Sequence, residues 1–495
     1  MIRPISEFIE GKPEPTKLAA TGLLMLAPAL AFALRYPLPG NADRLVDIGL
    51  LAAYSPAALL GYLAGILALF LLYRRGLRLC RLADPRAATR IVFAVGAALA
   101  AAFALMYPVN AIDLFIYAVR SRVFTAHAAN PQAVPPAAFP DDPLMAFASA
   151  EWADDLSPYG PLWTLVAAPA TALAGDDLGS ALALYKLLAV AAVLAGGWLV
   201  FAVVRAEAPA RAPAAALAYL WNPLVLWEGA GNGHNDALLA VPLLLALLAW
   251  VRRDDVLVPA WLAVGGALKY VSLPLLPLAV IAVWRRGGPG HGRARRLALG
   301  LASAAAVGML SLAPFFDPSA TLRSALAQGS IALTSPAWLA IVALRGVLPL
   351  EAARGGFRLL TSALFLAGLA LLGRAVWRRP GLLPQASFEL LALLLATATW
   401  NFRPWYLIWP LALAATLPSP WPLRRMVAWS AGALAAYAVL IWAVPLAGID
   451  RQGASIAAVL VMFGPVALAT ALEARASRRV GRRDRDRSVR RRPPI

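Results

Sequence analysis

The chain has 495 residues, of which 61% are hydrophobic and only 14% charged. Soluble domains carry about 25% charged residues, so a soluble globular protein is excluded. The net charge of +19 does not mark a nucleic-acid binder, because the arginines are gathered in short loops between apolar runs and in a tail. The single cysteine, Cys80, excludes an intramolecular disulfide and any cysteine-based metal site.

Apolar runs recur along the whole chain, and each span needs roughly 20 residues. The fold class is therefore all-α, a polytopic transmembrane helical bundle of about 12–14 spans. No cleavable signal peptide is evident. Arg3, Lys12 and Lys17 precede the first apolar run and assign residues 1–17 to the cytoplasm. Span one is expected near 18–34 and span two near 45–73. The 74–90 loop, with six arginines against one aspartate, lies inside. Span three, near 89–107, delivers residues 108–179 to the outside. That segment is acidic, with Asp141, Asp142, Glu151, Asp154, Asp155, Asp176 and Asp177, and its prolines mark irregular chain.

Residues 160–174 are apolar but short. Reading them as a half-length or surface-lying helix keeps Arg252–Arg253, the 285–296 loop, Arg378–Arg379 and Arg424–Arg425 all inside. Residues 256–270 and 271–284 are a short pair with the makings of a broken hairpin. Residues 333–350 stay outside as an amphipathic segment. The last span, near 453–472, closes a transmembrane domain over 18–472. Residues 473–495 form an Arg-rich tail, expected to be disordered, cytoplasmic and held to anionic lipid headgroups.

This topology brings four polar clusters to the extracytoplasmic ends of spans. They are Asp113, the Gly231-Asn-Gly-His-Asn-Asp236 turn, Lys269–Tyr270 and Trp400-Asn-Phe-Arg-Pro-Trp-Tyr406. Polar groups cannot face hydrocarbon, and the simplest account is one cavity open at the outer leaflet. Asp113, close to Tyr117 and Arg120, reads either as a general base or as a capping or solvated aspartate. Glycines and Pro223 break the helix so that Asn235 and Asp236 fall at the N-terminus of the next span, where N-capping accounts for one of them. Asn, Asp and His together suit a hydroxyl-rich ligand. His234 has no second histidine or cysteine nearby, and no metal site is expected. Lys269 either snorkels to the interface or, like Arg403, pairs with a phosphate. Trp405, Tyr406 and Trp409 fit an interfacial belt and also a platform for sugar rings.

The motifs in order resemble the GT-C integral-membrane glycosyltransferases, and among them the bacterial polyprenol-phosphate-mannose-dependent α-mannosyltransferases. They are Asn110-Ala-Ile-Asp113-Leu-Phe-Ile-Tyr117, Ala129-Asn-Pro131, Ser157-Pro-Tyr159-Gly-Pro-Leu-Trp163, Trp221-Asn-Pro-Leu, Gly233-His-Asn-Asp-Ala-Leu238, Ala267-Leu-Lys-Tyr270 and Pro404-Trp-Tyr-Leu-Ile-Trp-Pro410. The likeness runs over about 100–420, and the chain departs from the usual pattern at Ala129-Asn-Pro-Gln132, which lacks the typical glycine and tyrosine.

The resemblance implies a multi-pass protein of the bacterial cytoplasmic membrane with its active site facing outside. It implies a polyprenyl-phosphate sugar donor, a glycan or glycolipid acceptor, inversion, and no cofactor or metal. Asp113 would be the catalytic base, and Lys269, Arg403, His234, Asn235 and Asp236 would bind donor phosphate and sugar. Tyr117, Tyr159, Tyr270, Trp405 and Tyr406 would line the acceptor side. A transporter or flippase of a lipid-linked sugar is the competing reading; it predicts internal repeats and ionisable residues at the bilayer midplane.

Overall fold

The computed structural model describes residues 13–110, 112–286, 291–327, 334–345, 347 and 349–490. The first three spans are α1 (Glu14–Arg35), α2 (Pro56–Leu82) and α3 (Pro85–Ala104). The segment expected outside, called the outer segment below, follows with α4 (Asp113–Thr125) and α5 (Pro161–Ala174). Then come α6 (Leu178–Glu207), α7 (Ala212–Leu220), a π-helix π1 (Val225–Gly231), α8 (Asp236–Arg252) and α9 (Leu257–Leu268). The C-terminal half holds α10 (Leu276–Arg286), α11 (His291–Leu312), α12 (Pro336–Leu344), α13 (Leu350–Arg378) and α14 (Leu383–Leu393). A second π-helix π2 (Leu394–Ala398), α15 (Ile408–Thr416), α16 (Pro420–Ala447) and α17 (Arg451–Arg490) complete it. Among the described residues there is no β-strand, only an isolated bridge between Pro37 and Met106.

Among the described residues nine helices are long and apolar enough to cross a membrane. The bent pair π1–α8 makes a tenth if it is counted as one span. The described residues thus hold fewer full-length spans than the 12–14 expected, the remaining apolar runs being short or broken helices such as α5 and α9. The 256–284 pair is one of them, α9 being joined to α10 through a 3₁₀ turn at Tyr270–Leu275.

Helix starts follow local chemistry. Pro56, Pro85, Pro161, Pro336 and Pro420 occupy first-turn positions, where a missing N–H costs nothing. Asp84 accepts from the N–H groups of Arg86 and Ala87 at 3.1 and 2.9 Å, so α2 and α3 are joined by a turn of only Ala83–Asp84. The 74–90 stretch is thereby mostly helical, with its arginines on two helix ends. Span two begins at Pro56 and not near 45, because residues 45–47 instead run along the cavity described below. At the C-terminus, α17 continues through Arg490 into the 473–495 tail, where composition suggests no structure. A chain already helical at residue 472 needs no new nucleus to continue.

Two ends of the bundle are tied by different bonds. At one, Arg286 donates to the Trp250 carbonyl at 2.6 Å, Arg285 to the Trp377 carbonyl at 2.9 Å and Arg211 to the Leu417 carbonyl at 2.7 Å. Arg425 there pairs with Glu389 and Glu473. At the other, the Gly160 N–H donates to the Leu268 carbonyl at 3.0 Å and the Asn235 N–H to the Tyr117 hydroxyl at 3.3 Å. The outer segment and the 231–236 turn therefore share one end, opposite the arginines.

Candidate active site

The site is built on a broken helix. Asn222 Oδ1 accepts from the Leu224 N–H at 2.9 Å with Pro223 at the first helical position, restarting the helix after α7. The restarted helix widens into π1 and ends at Gly231, and α8 leaves at 114° to it. Gly233 makes this reversal with φ +76°, a conformation that disfavours a side chain; a Cβ there would also meet Leu114 at 2.5 Å. Buried Lys186 of α6 donates to the carbonyls of Met106 and Gly231, satisfying the ends of α3 and π1. A wide turn and a free helix end are thus fixed in place next to α4.

A cavity of about 710 Å³ opens beside this turn. Asp113, at the first position of α4, lines it, as do Tyr159, Lys269, Tyr270, Arg403, Trp405 and Tyr406. The Asp113 side chain is 22% exposed, and the Tyr159 hydroxyl donates to its Oδ1 at 3.3 Å. Lys269 donates to both oxygens of Asp236, at 2.8 and 3.0 Å, and its ammonium lies 4.6 Å from the Tyr406 ring centre and 5.2 Å from that of Trp409. Aromatic faces and a carboxylate together hold the cation at the cavity wall. Arg403 lies over Trp405 at 5.8 Å. Tyr270 is fixed from the outer segment, accepting from Gln132 Nε2 at 3.1 Å.

His234, Asn235, Asp236 and Tyr117 do not line the cavity. His234 and Asp236 are fully buried, and the four stand behind the wall that Asp113, Lys269 and Trp405 present. His234 stacks on Trp405 with ring centres 3.8 Å apart and points Nδ1 at Asp113 Oδ1, 3.9 Å away. Donor contact is the expectation for His234, Asn235 and Asp236 and an acceptor-side place that for Tyr117; the structure sets all four behind the wall, the 114° turn swinging His234 and Asp236 inward, towards α4 and Lys269. N-capping is corrected. Asn235 occupies the cap position of α8 without a side-chain cap bond, and Asp236 spends its oxygens on Lys269.

Arg358 with Thr361 and Ser362 of α13 lies on the cavity wall outside every motif, while Asn110 and Asn401 stand there inside motifs that gave them no role. Arg358, Thr361 and Ser362 carried only a weak signal, because they stand at the start of the apolar run of α13 next to Glu351 and Arg354. Among the described residues no three His, Cys, Asp or Glu side chains are grouped to hold a metal ion.

Fold and cavity together define an all-helical membrane protein with a polar chamber walled by a carboxylate, cations and aromatics. The family model for alpha-(1->6)-mannopyranosyltransferase, N-terminal domain, matches residues 18–285, more than half of the chain, and the chain belongs to that family. This agrees with the GT-C mannosyltransferase resemblance of the motifs.

Alpha-(1->6)-mannopyranosyltransferase A of Mycobacterium tuberculosis is 27% identical over 353 residues, 66% of this chain and 65% of that protein. Two Corynebacterium glutamicum proteins match over shorter stretches. Alpha-(1->6)-mannopyranosyltransferase A is 28% identical over 28% of each chain, and B is 27% identical over 27% of this chain and 22% of its own. The chain thus spans under two thirds of the length of each relative.

Proposed function

We propose that the protein transfers mannose from a polyprenyl-phosphate donor to a hydroxyl of a glycan or glycolipid at the outer face of the bacterial cytoplasmic membrane. The observation that carries this reading is that Asp113 opens into the same cavity as Lys269, Arg358 and Arg403. A base and a set of cations are the two things that displacement of a phosphate from an anomeric carbon requires. In the reaction, Asp113 takes the proton of the acceptor hydroxyl while that oxygen bonds to the anomeric carbon. The bond from that carbon to the phosphate oxygen breaks, and the departing charge is met by Lys269 and Arg403. Attack opposite the leaving group inverts the centre, so a β-linked donor yields an α-glycoside. The names of the relatives support mannose and a 1→6 linkage. The arginine-bearing end is the cytoplasmic one by the positive-inside rule, with the Arg-rich tail against anionic headgroups, which leaves the cavity outside.

The test is transfer by purified protein in nanodiscs, with polyprenyl-phosphate mannose and short α-mannoside acceptors. Asp113→Asn should lower kcat about 10²–10⁴-fold. Equal transfer by both proteins removes Asp113 from the role of base. Donor movement across a sealed vesicle without product marks a transporter.

A further inference from the structure

Glu228 is a fully buried carboxylate inside π1, and the reaction above does not use it. Its Oε2 accepts from Asn232 Nδ2 at 2.8 Å and lies 3.3 Å from His234 Nε2, within ion-pair distance but off the hydrogen-bonding direction. The other ring nitrogen, Nδ1, faces Asp113 Oδ1 at 3.9 Å. One imidazole thus stands between a carboxylate in the bundle and the carboxylate that opens into the cavity, and its face is covered by Trp405.

Groups of this kind are expensive to bury unless they are paired, and a π-helix within a helical segment is a common mark of a functional site. We infer that Glu228 and His234 are positioning residues for Asp113: with a proton on each ring nitrogen, Glu228 accepts from Nε2–H and fixes the ring, so that Nδ1 presents its own N–H to the Asp113 carboxylate. A shift of under about 1 Å turns the 3.9 Å separation into a hydrogen bond. The bond orients one carboxylate oxygen and leaves the other for the acceptor hydroxyl. The same order, carboxylate to imidazole to reacting group, is how enzymes hold a reacting side chain in one geometry. The charged groups that face His234 are Asp113 from α4, Glu228 from π1 and Asp236 from the first turn of α8. Tyr62 of α2 and Tyr437 of α16 face Glu228.

The inference rests on Asp113 being the base, and the test keeps the two apart. Kinetics in nanodiscs are compared for Asp113→Asn, His234→Gln, Glu228→Gln and Asn232→Ala, with the pH profile of kcat for each active protein. His234→Gln and Glu228→Gln should lose about 10- to 100-fold in kcat with donor KM nearly unchanged. In His234→Gln the pH profile of kcat should depart from that of the wild type, because the neighbour that presents an N–H to Asp113 is gone. Asn232→Ala, which loosens Glu228 without removing charge, should give a smaller loss and keeps the test open if Glu228→Gln fails to fold. Wild-type kcat and pH profile in His234→Gln and Asn232→Ala, beside an inactive Asp113→Asn, overturns the positioning role alone. An active Asp113→Asn overturns the base itself.

Discussion

Lys269 serves two roles that substitution separates. Its ammonium neutralises Asp236, which has no exposure, and it also lines the cavity. Removing one partner of a buried pair leaves the other charge uncompensated, at a cost of about 3–5 kcal/mol. Lys269→Met should therefore lower the unfolding temperature sharply, measured by tryptophan fluorescence in detergent. Adding Asp236→Leu should restore most of the stability and none of the transfer activity, since the phosphate cation stays absent. Recovery of activity in the double variant places the leaving-group charge on Arg403 and Arg358 alone.

Asp142 in the outer segment offers a pH test at the same scale. Burial pushes its carboxyl up, but Arg122 at 2.8 Å, the Leu144 N–H at 2.9 Å and His127 at 2.7 Å outweigh this and hold it below the ordinary 3.8. A folded-state value below the unfolded one stabilises the segment above about pH 3.9, and the contribution is lost as pH falls through the depressed value. Amide protection over residues 126–145, taken relative to the intrinsic exchange rate at each pH, should stay high from neutral pH down to about 4 and fall below it. Asp142→Asn should lower it throughout.

Among the elements, the contact of residues 157–160 with the end of α9 sets the shape of the cavity. A Cβ on Gly160 would fall 2.1 Å from the Ala267 carbonyl oxygen, a backbone atom that cannot rotate away. Gly160→Ala should push apart two segments whose next neighbours are Tyr159 and Lys269. Overpacking of this kind costs about 1–3 kcal/mol, and a displacement near 1 Å at a catalytic group costs about 100-fold in rate. The expected result is a folded protein with depressed kcat; unchanged kcat shows that Lys269 tolerates the shift. Elements were legible in the sequence where composition alone decides them. The short 160–174 helix and the broken 256–284 pair were readable because apolar length is counted directly. Which way His234 and Asp236 point was not readable. That depends on the 114° turn at Gly233 and on the distant Lys269, which a local motif cannot register. Arg358 was missed for a related reason: one polar residue in a span gains meaning only when α13 is seen beside π2.

For the whole molecule, loop charge divides the bundle into an arginine-tied end and a cavity end, and the orientation is testable. Cys80 is the only cysteine and is buried, so single cysteines can be introduced against a quiet background. A cysteine at exposed Asp141 should react with a membrane-impermeant maleimide on intact cells, and one at exposed Arg379 only after the membrane is opened. The reverse pattern would turn the cavity to the cytoplasm and remove the outer-face reading. Sequence composition settled the fold class because hydrocarbon leaves so few options to a backbone. The chemistry needed the tertiary structure, because its groups come from segments far apart in the chain.

That dispersal also has a cost in time. Asp113 is made 156 residues before Lys269, which at roughly 5–20 residues per second is about 8–30 s of synthesis. Through that interval Asp113 has no Lys269 to meet and for most of it no His234, and the Gly160 N–H waits for the Leu268 carbonyl. The newborn protein therefore carries an unfinished pocket until its second half is made, and the early 157–160 segment docks onto a helix end that is made more than a hundred residues later.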